Sequence, residues 1–266
     1  MNKIKLYLMT LLIRTIGRLS TGIDMSFKYG FISGYMLDYI YENQPHGKLL
    51  IGKLIDKMFL DNIGWQAIRQ RKENLKKYIK EIIEDNRRKA VKTVILDIAS
   101  GPAKYVLEIL LENGEQDVYV ICQDIDQRWL DIGKEQANKL GLKNIRFEKG
   151  DAFNLELLSK VKPSPNVVVS SGFYDWITDD ELIKKSFKYC YSILTNNGKI
   201  VFTNQVGHMQ MELVQAVFVD FNKEPLRMKT RPAEFIGSLA KEAGFVNLDT
   251  LFDKWGLYSV SKGDKL

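Results

Sequence analysis

From about residue 94 onward the chain alternates short β-rich runs with helical stretches, and this alternation restricts the fold more than any other feature of the sequence. Two parallel strands cannot be joined by a tight turn, so a strand, a helix and a further strand in succession read as a crossover unit of a parallel sheet. Strands are predicted at 93–98, 117–123, 144–149, 166–171, 198–204, 246–252 and 256–261, with helices at about 103–113, 128–140, 153–160, 179–193, 208–221 and 231–243. Thr230 is expected to N-cap the last helix, with Pro232 in its first turn and Gly244 at its end. Only a turn through Trp255 separates the final two strand runs, so they should pair antiparallel. The expectation is an α/β protein with a doubly wound, seven-stranded Rossmann-like sheet whose last strand is antiparallel.

Residues 1–90 read differently. They carry no strand pattern, several aromatic residues (Phe27, Tyr29, Phe31, Tyr35, Tyr39, Tyr41) and breaks at Gly22, Pro45-His46-Gly47 and Gly64, which indicates an all-helical extension or cap before a second domain at 91–266. The first residues resemble a signal peptide, but Arg14 and Arg18 interrupt the pattern, and eight apolar residues are far short of the roughly 20 that span a bilayer. Ile4, Leu8, Leu11, Leu12, Thr15 and Leu19 recur at helical spacing. A packing helix is the favoured reading, with a peripheral membrane contact through residues 1–19 as the alternative.

With 266 residues and 45% hydrophobic content, the chain can bury a full core. A net charge of +6 arises from 39 basic against 33 acidic residues spread along the sequence, which is weak support for a nucleic-acid partner. Cys122 and Cys190, one in a predicted strand and one in a predicted helix, suit a reducing compartment. The expected localisation is cytoplasmic, with membrane association as an addition.

The run 94–105, Val-Ile-Leu-Asp-Ile-Ala-Ser-Gly-Pro-Ala-Lys-Tyr, is a strand ending in Asp97 that turns through Gly101 into a helix. Acids recur at the next two strand ends, as Asp124 and Asp151. Ligands of open parallel sheets lie beyond the carboxyl ends of the strands, so the loop and the two acids outline a nucleoside-sized crevice. A dinucleotide loop uses three glycines to admit a pyrophosphate. Here Ala99 and Ala103 flank the single Gly101, which suits a cofactor without phosphate such as S-adenosylmethionine. Asp97 would meet its amine, Asp124 its ribose hydroxyls and Asp151 its adenine amine, with Ile125 and Ala152 or Phe153 against the ring. Each acid is equally suited to capping a helix, and Asp126 is expected to cap the one starting near Arg128.

At this point the chain resembles the class I S-adenosylmethionine-dependent methyltransferases over about 94–261. More narrowly it resembles a bacterial methyltransferase family often found fused to or beside α/β-hydrolase domains. The residues that carry the narrower likeness are Gly34 to Tyr41, Gly64 to Arg71, Ser171-Gly172-Phe173-Tyr174, Thr203-Asn204-Gln205 with His208, and Trp255 to Tyr258.

The acceptor should lie above the fourth and fifth strand ends. Ser171 joins the cofactor set there, Tyr174 and Asp175 are candidates to position a polar acceptor, and His208 is a candidate general base. A packed aromatic edge is the alternative for Tyr174, and a surface or capping histidine is the favoured reading of His208. Arg69 and Arg71 cannot share a helix face, and an inward Arg69 would clamp an acceptor anion or tie to Asp38 or Asp56. No Asn/Asp-Pro-Pro-Tyr/Phe motif follows the fourth strand, neither cysteine lies near the acceptor edge, and no paired metal spacing occurs. A small-molecule or lipid-like acceptor is left by elimination, and methylation at oxygen is the first hypothesis. The alternatives are an RNA-modifying methyltransferase and a non-catalytic S-adenosylmethionine-binding protein.

Overall fold

A computed structural model describes residues 2–31, 33–220 and 222–266. Residue 1, at the start of the amphipathic run, and residue 221, at the end of a predicted helix, lie outside the described residues. The fold divides into two compact units, Met1–Gln70 with His208–Met228 and Arg71–Gly207 with Lys229–Leu266.

The first unit is helical: α1 (Lys3–Arg14), a 3-10 turn (Ile16–Leu19), α2 (Thr21–Tyr29), α3 (Gly34–Glu42), α4 (Leu49–Leu60) and the start of α5 (Ile63–Arg88). Ser20 and Ser33 cap α2 and α3 through their hydroxyls. The buried Asp56 of α4 ties the unit together by accepting from Ser20 Oγ at 2.6 Å, Gly22 N at 2.9 Å, His46 N at 2.8 Å and the Tyr39 hydroxyl. A carboxylate so removed from water is tolerable because several donors satisfy it. The aromatic residues of the extension are packing groups, with Phe31 stacked on Phe218 at 4.5 Å and tilted against Trp65 at 4.9 Å.

The first helix departs from expectation. α1 has no fully buried residue, and Ile4, Leu8, Leu11 and Leu12, the stripe predicted to pack, are exposed. The opposite stripe, Leu6, Met9 and Ile13, is the half-buried one. The helix is apolar on two faces, and sequence periodicity alone could not say which one met protein.

The sheet of the second unit comprises β1 (Thr93–Ile98), β2 (Val118–Asp124), β3 (Ile145–Lys149), β4 (Val167–Ser170), β5 (Lys199–Gln205), β6 (Val246–Phe252) and β7 (Tyr258–Asp264). Their order is β3-β2-β1-β4-β5-β7-β6. The first five run parallel, and β7 lies antiparallel between β5 and β6. Crossovers are made by α6 (Lys104–Asn113), α7 (Gln127–Lys139), α8 (Leu155–Ser159) and α9 (Asp180–Ile193); α10 (Met211–Val217) belongs to the helical unit and α11 (Ala233–Glu242) precedes β6. β1, β2 and β4 are buried almost throughout, as strands covered on both faces must be.

Three boundaries differ from those predicted. α10 is shorter than 208–221, and α11 starts at Ala233 with Pro232 as its cap residue, so Thr230 does not cap it. The division between units falls at 70/71 inside α5 instead of at 90. The reason is visible in α5, whose Leu75, Tyr78, Ile79, Ile82 and Ile83 join the sheet core with Val106, Ile109 and Leu110. On its flank Lys72 and Lys76 hold Glu108, and Lys76 and Lys80 hold Glu112, both on α6.

Candidate functional site

The carboxyl ends of β1 and β2 create the site. After Asp97 and Ile98 the chain adopts positive φ at every second residue, +50° at Ala99, +55° at Gly101 and +56° at Ala103. That conformation costs an L-residue about 1–2 kcal/mol, so the two alanines follow the path that glycine would take freely. The loop is held by Ser100 N donating to Gln123 O (2.9 Å), Ala103 N to Ser100 O (3.1 Å) and Gly101 N to Asp124 Oδ2 (2.9 Å). A Cβ built on Gly101 meets nothing within 4 Å, so its backbone faces open space. The replacement of two glycines therefore leaves the loop's course intact.

Beneath this loop Asp97 is completely buried, and neither carboxylate oxygen finds a well-formed hydrogen bond among the described residues. Burial, offset in part by Tyr105 and reinforced by the nearby Asp124, pushes its pKa up to about 8. Burial thus disfavours the charged form of Asp97 in the free protein. Asp124 at the end of β2 is also raised by burial, against the lowering effect of its backbone donors, Asp126 N at 2.9 Å and Gly101 N. The neighbouring Asp126 caps α7 through Arg128 N at 3.0 Å. Two adjacent acids therefore have different tasks, one facing the loop and one ending a helix. Ile125 between them is 66% exposed, a large apolar surface at a strand end.

At the third strand end Asp151 Oδ1 accepts from Phe153 N at 2.8 Å, closing its own turn. Ala152 packs at the margin of the core, and the Phe153 ring sits 5.3 Å from Phe173. Gly150 is required by proximity: a Cβ there would come within 2.7 Å of the Gln123 side chain.

The fourth and fifth strand ends are tied down by their own polar groups. Ser171 is half-buried where β4 stops, and Gly172 N donates to Thr203 Oγ1 at 2.6 Å. Asp175 is buried, accepts from Gln205 N at 2.7 Å and pairs with Arg71 at 3.3 Å. Arg71 also lies over the Tyr258 ring at 5.0 Å. The inward arginine is thus Arg71; Arg69 donates instead to the carbonyls of Ile40 and Leu60 near the ends of α3 and α4. Arg231 is 1% exposed and draws the 174–180 segment together through Tyr174 O, Ile177 O and Asp180. Sequence reading missed Arg231, whose only visible signal was its place before Pro232.

The two predicted catalytic residues lie in different units. Tyr174 is fully buried, its ring among Phe173, Phe187 and Phe202 and its hydroxyl 3.2 Å from Ser186 Oγ. Burial raises its pKa well above the ordinary value, so it is a core residue. His208 lies in the helical unit, where Nδ1 accepts from Gln210 N at 3.0 Å before α10. Burial lowers its pKa. The neutral ring then carries its proton on Nε2, which makes that nitrogen a donor.

A cavity of about 600 Å³ opens elsewhere, between α8 and the end of α9, lined by Leu155, Leu158, Pro165 and Ile193. It lies by the amino ends of the strands, away from the edge where open sheets bind ligands.

The fold finds its counterpart in known proteins. Residues 1–265 match the model of a family described as "Putative methyltransferase". The chain belongs to this family. It is 34% identical over 251 residues to the uncharacterized protein YnbC of Escherichia coli K12, covering 93% of this chain and 43% of that protein. The chain thus spans less than half the length of that curated relative. Among solved structures, one from Bordetella parapertussis, described as a possible exported protein, superposes with a TM-score of 0.70 at 17% identity, over 98% of this chain and 86% of the other. Magnesium protoporphyrin IX methyltransferase from Synechocystis, solved with bound SAH, gives 0.59 at 11% identity, over 95% and 100%. The fold is that of the class I methyltransferases.

Proposed function

We propose that the chain is an S-adenosylmethionine-dependent methyltransferase acting on a small-molecule or lipid-like acceptor, with oxygen as the methylated atom. The observation that carries the cofactor assignment is Asp97, a buried carboxyl without a well-formed hydrogen bond under a loop whose backbone is open at Gly101. A buried acid held at about 8 is matched by a cationic group, which restores its charge and supplies the missing partner. Asp124 accepts the ribose hydroxyls, since each of its oxygens keeps a lone pair beyond the backbone bond already made. Ile125 and Ala152 provide apolar surface for the adenine, and the second oxygen of Asp151 accepts from its amine. Bound S-adenosylmethionine supplies an electrophilic methyl on sulfonium.

The chain's own part in the reaction is alignment. Ser171 and Gly172 form the rim at β4, fixed by Thr203, while the Arg71–Asp175 pair and Arg231 keep the following segment in place. No described residue of the sheet unit is poised as a base, and an acceptor hydroxyl gives its proton to solvent. Calorimetry with S-adenosylmethionine is the direct test. Saturable binding that is lost in Asp124→Ala supports the assignment, and absence of binding by the unaltered chain overturns it. Methyl-labelled cofactor with lipid and metabolite extracts, read by mass spectrometry, then identifies the acceptor.

A further inference from the structure

The methyl-transfer reading makes no use of the outward faces of α1 and α4. On α1, Ile4, Tyr7, Leu8, Leu11 and Leu12 are between 50% and 69% exposed, at the i, i+3, i+4, i+7 and i+8 spacing of one continuous stripe. On α4, Leu50, Ile51, Leu54 and Met58 are between 59% and 87% exposed on a single face, opposite the buried Gly52, Asp56 and Leu60. Both helices are anchored at one turn. Thr15, the C-cap of α1, leads directly into the 3-10 segment Ile16–Leu19, whose last carbonyl accepts from Lys48 N at 2.8 Å and lies 2.5 Å from where a Cβ on Gly52 would sit. Gly52 therefore lets α4 approach the turn that follows α1.

The charge around these faces is mainly basic, the nearby acids Asp24 and Asp61 being paired with Arg18 and Lys57. Residues 1–23 contain Lys3, Lys5, Arg14 and Arg18 and no acid, and between Glu42 and Asp56 the charged residues are Lys48 and Lys53. Asp56, the single acid of α4, is buried. On the α1 wheel Lys3 and Arg14 border the apolar stripe on one side and Lys5 on the other, where long basic side chains can lay their stems on apolar surface and hold their charge in a polar layer.

We infer that the outward faces of α1 and α4 together form a docking surface for an anionic lipid bilayer. An exposed apolar patch bordered mainly by bases matches the apolar and anionic layers of such a membrane, whereas a second copy of the same face would set mostly like charges against each other. Each helix has 12 residues, about 18 Å at 1.5 Å per residue. No helix among the described residues is long and apolar enough to cross a membrane. The helices therefore lie in the interface plane, with leucines inserted and lysines at headgroup level.

Flotation with vesicles tests this without reference to the cofactor. The unaltered chain should partition onto phosphatidylcholine vesicles containing phosphatidylglycerol about tenfold more strongly than onto phosphatidylcholine alone, and less as salt is raised. Leu8→Glu with Leu54→Glu should remove the partitioning, while circular dichroism and the melting temperature stay unchanged because both side chains are already in solvent. Should that variant fail to fold, Leu54→Trp takes its place, with a blue-shifted emission expected on the anionic vesicles. Absence of partitioning, equal partitioning of the glutamate variant, or an emission unmoved by vesicles overturns the inference. So does a dimer in sedimentation that the same glutamates dissolve.

Discussion

The two units depart from ordinary burial in opposite directions. In the sheet unit a carboxyl is sealed away from water with no adequate partner, while in the helical unit rows of leucines are left in solvent. Asp56 shows that the contrast is not one of chemistry, for it is as buried as Asp97 but satisfied by backbone and hydroxyl donors. A buried acid that is satisfied holds a fold together, and one that is not is a candidate for a binding site. The same logic separates the two faces of α1, whose Leu6, Met9 and Ile13 are half-buried while Ile4, Leu8, Leu11 and Leu12 are exposed.

That contrast can be broken at several points. The largest stability effect should come from Arg71→Ala, which strands the buried Asp175: a loss of about 3–5 kcal/mol by urea titration. Asp124→Ala should weaken S-adenosylmethionine binding about a hundredfold by calorimetry, equivalent to about 2.7 kcal/mol, and cost about 1–3 kcal/mol of stability because Gly101 N and Asp126 N lose their acceptor. Asp97 predicts a pH signature. Its proton is held to about 8 in the folded chain but lost near 3.9 in the unfolded one. Between those values the native state binds more protons, so this group makes stability fall as pH rises from about 4 to about 8. Asp97→Asn should flatten that slope and abolish the proton released on cofactor binding, measured in buffers of differing ionisation enthalpy. Tyr174→Phe should cost about 1 kcal/mol for the Ser186 bond and leave turnover unchanged. Smallest is Ala99→Gly, for which relief of left-handed strain is partly offset by glycine's backbone entropy: a gain of about 0.5 kcal/mol, with affinity for the cofactor unaltered.

The sheet was legible because its signals are local. Each strand is a short apolar run bounded by turn residues, and the brief link at Trp255 required an antiparallel final pair, which the β6–β7 register realises. The acids at 97, 124 and 126 were legible for the same reason, since strand ends place them. The place of Tyr174 was not legible, because a residue four past β4 can lie in the cleft or under it, and the choice is made by Phe187 and Phe202, far along the chain. The roles of Arg71 and Arg231 depend on partners 104 and 57 residues away, which spacing cannot reveal. The break inside α5 was equally hidden, because one unbroken helical pattern serves both units.

The position of β7 bears on the order in which the sheet can be assembled. β6 leaves the ribosome before β7 but has no strand of its own to join until β7 has paired with β5, from Lys199 opposite Asp264 to Gln205 opposite Tyr258. During synthesis the edge of β5 therefore stays bare while more than fifty further residues emerge, about 3–10 s at 5–20 residues per second. Throughout that interval the nascent chain presents an unpaired strand edge, the kind of surface that other chains can capture. It is in that interval, more than in the finished protein, that the sheet's order leaves an edge exposed to capture.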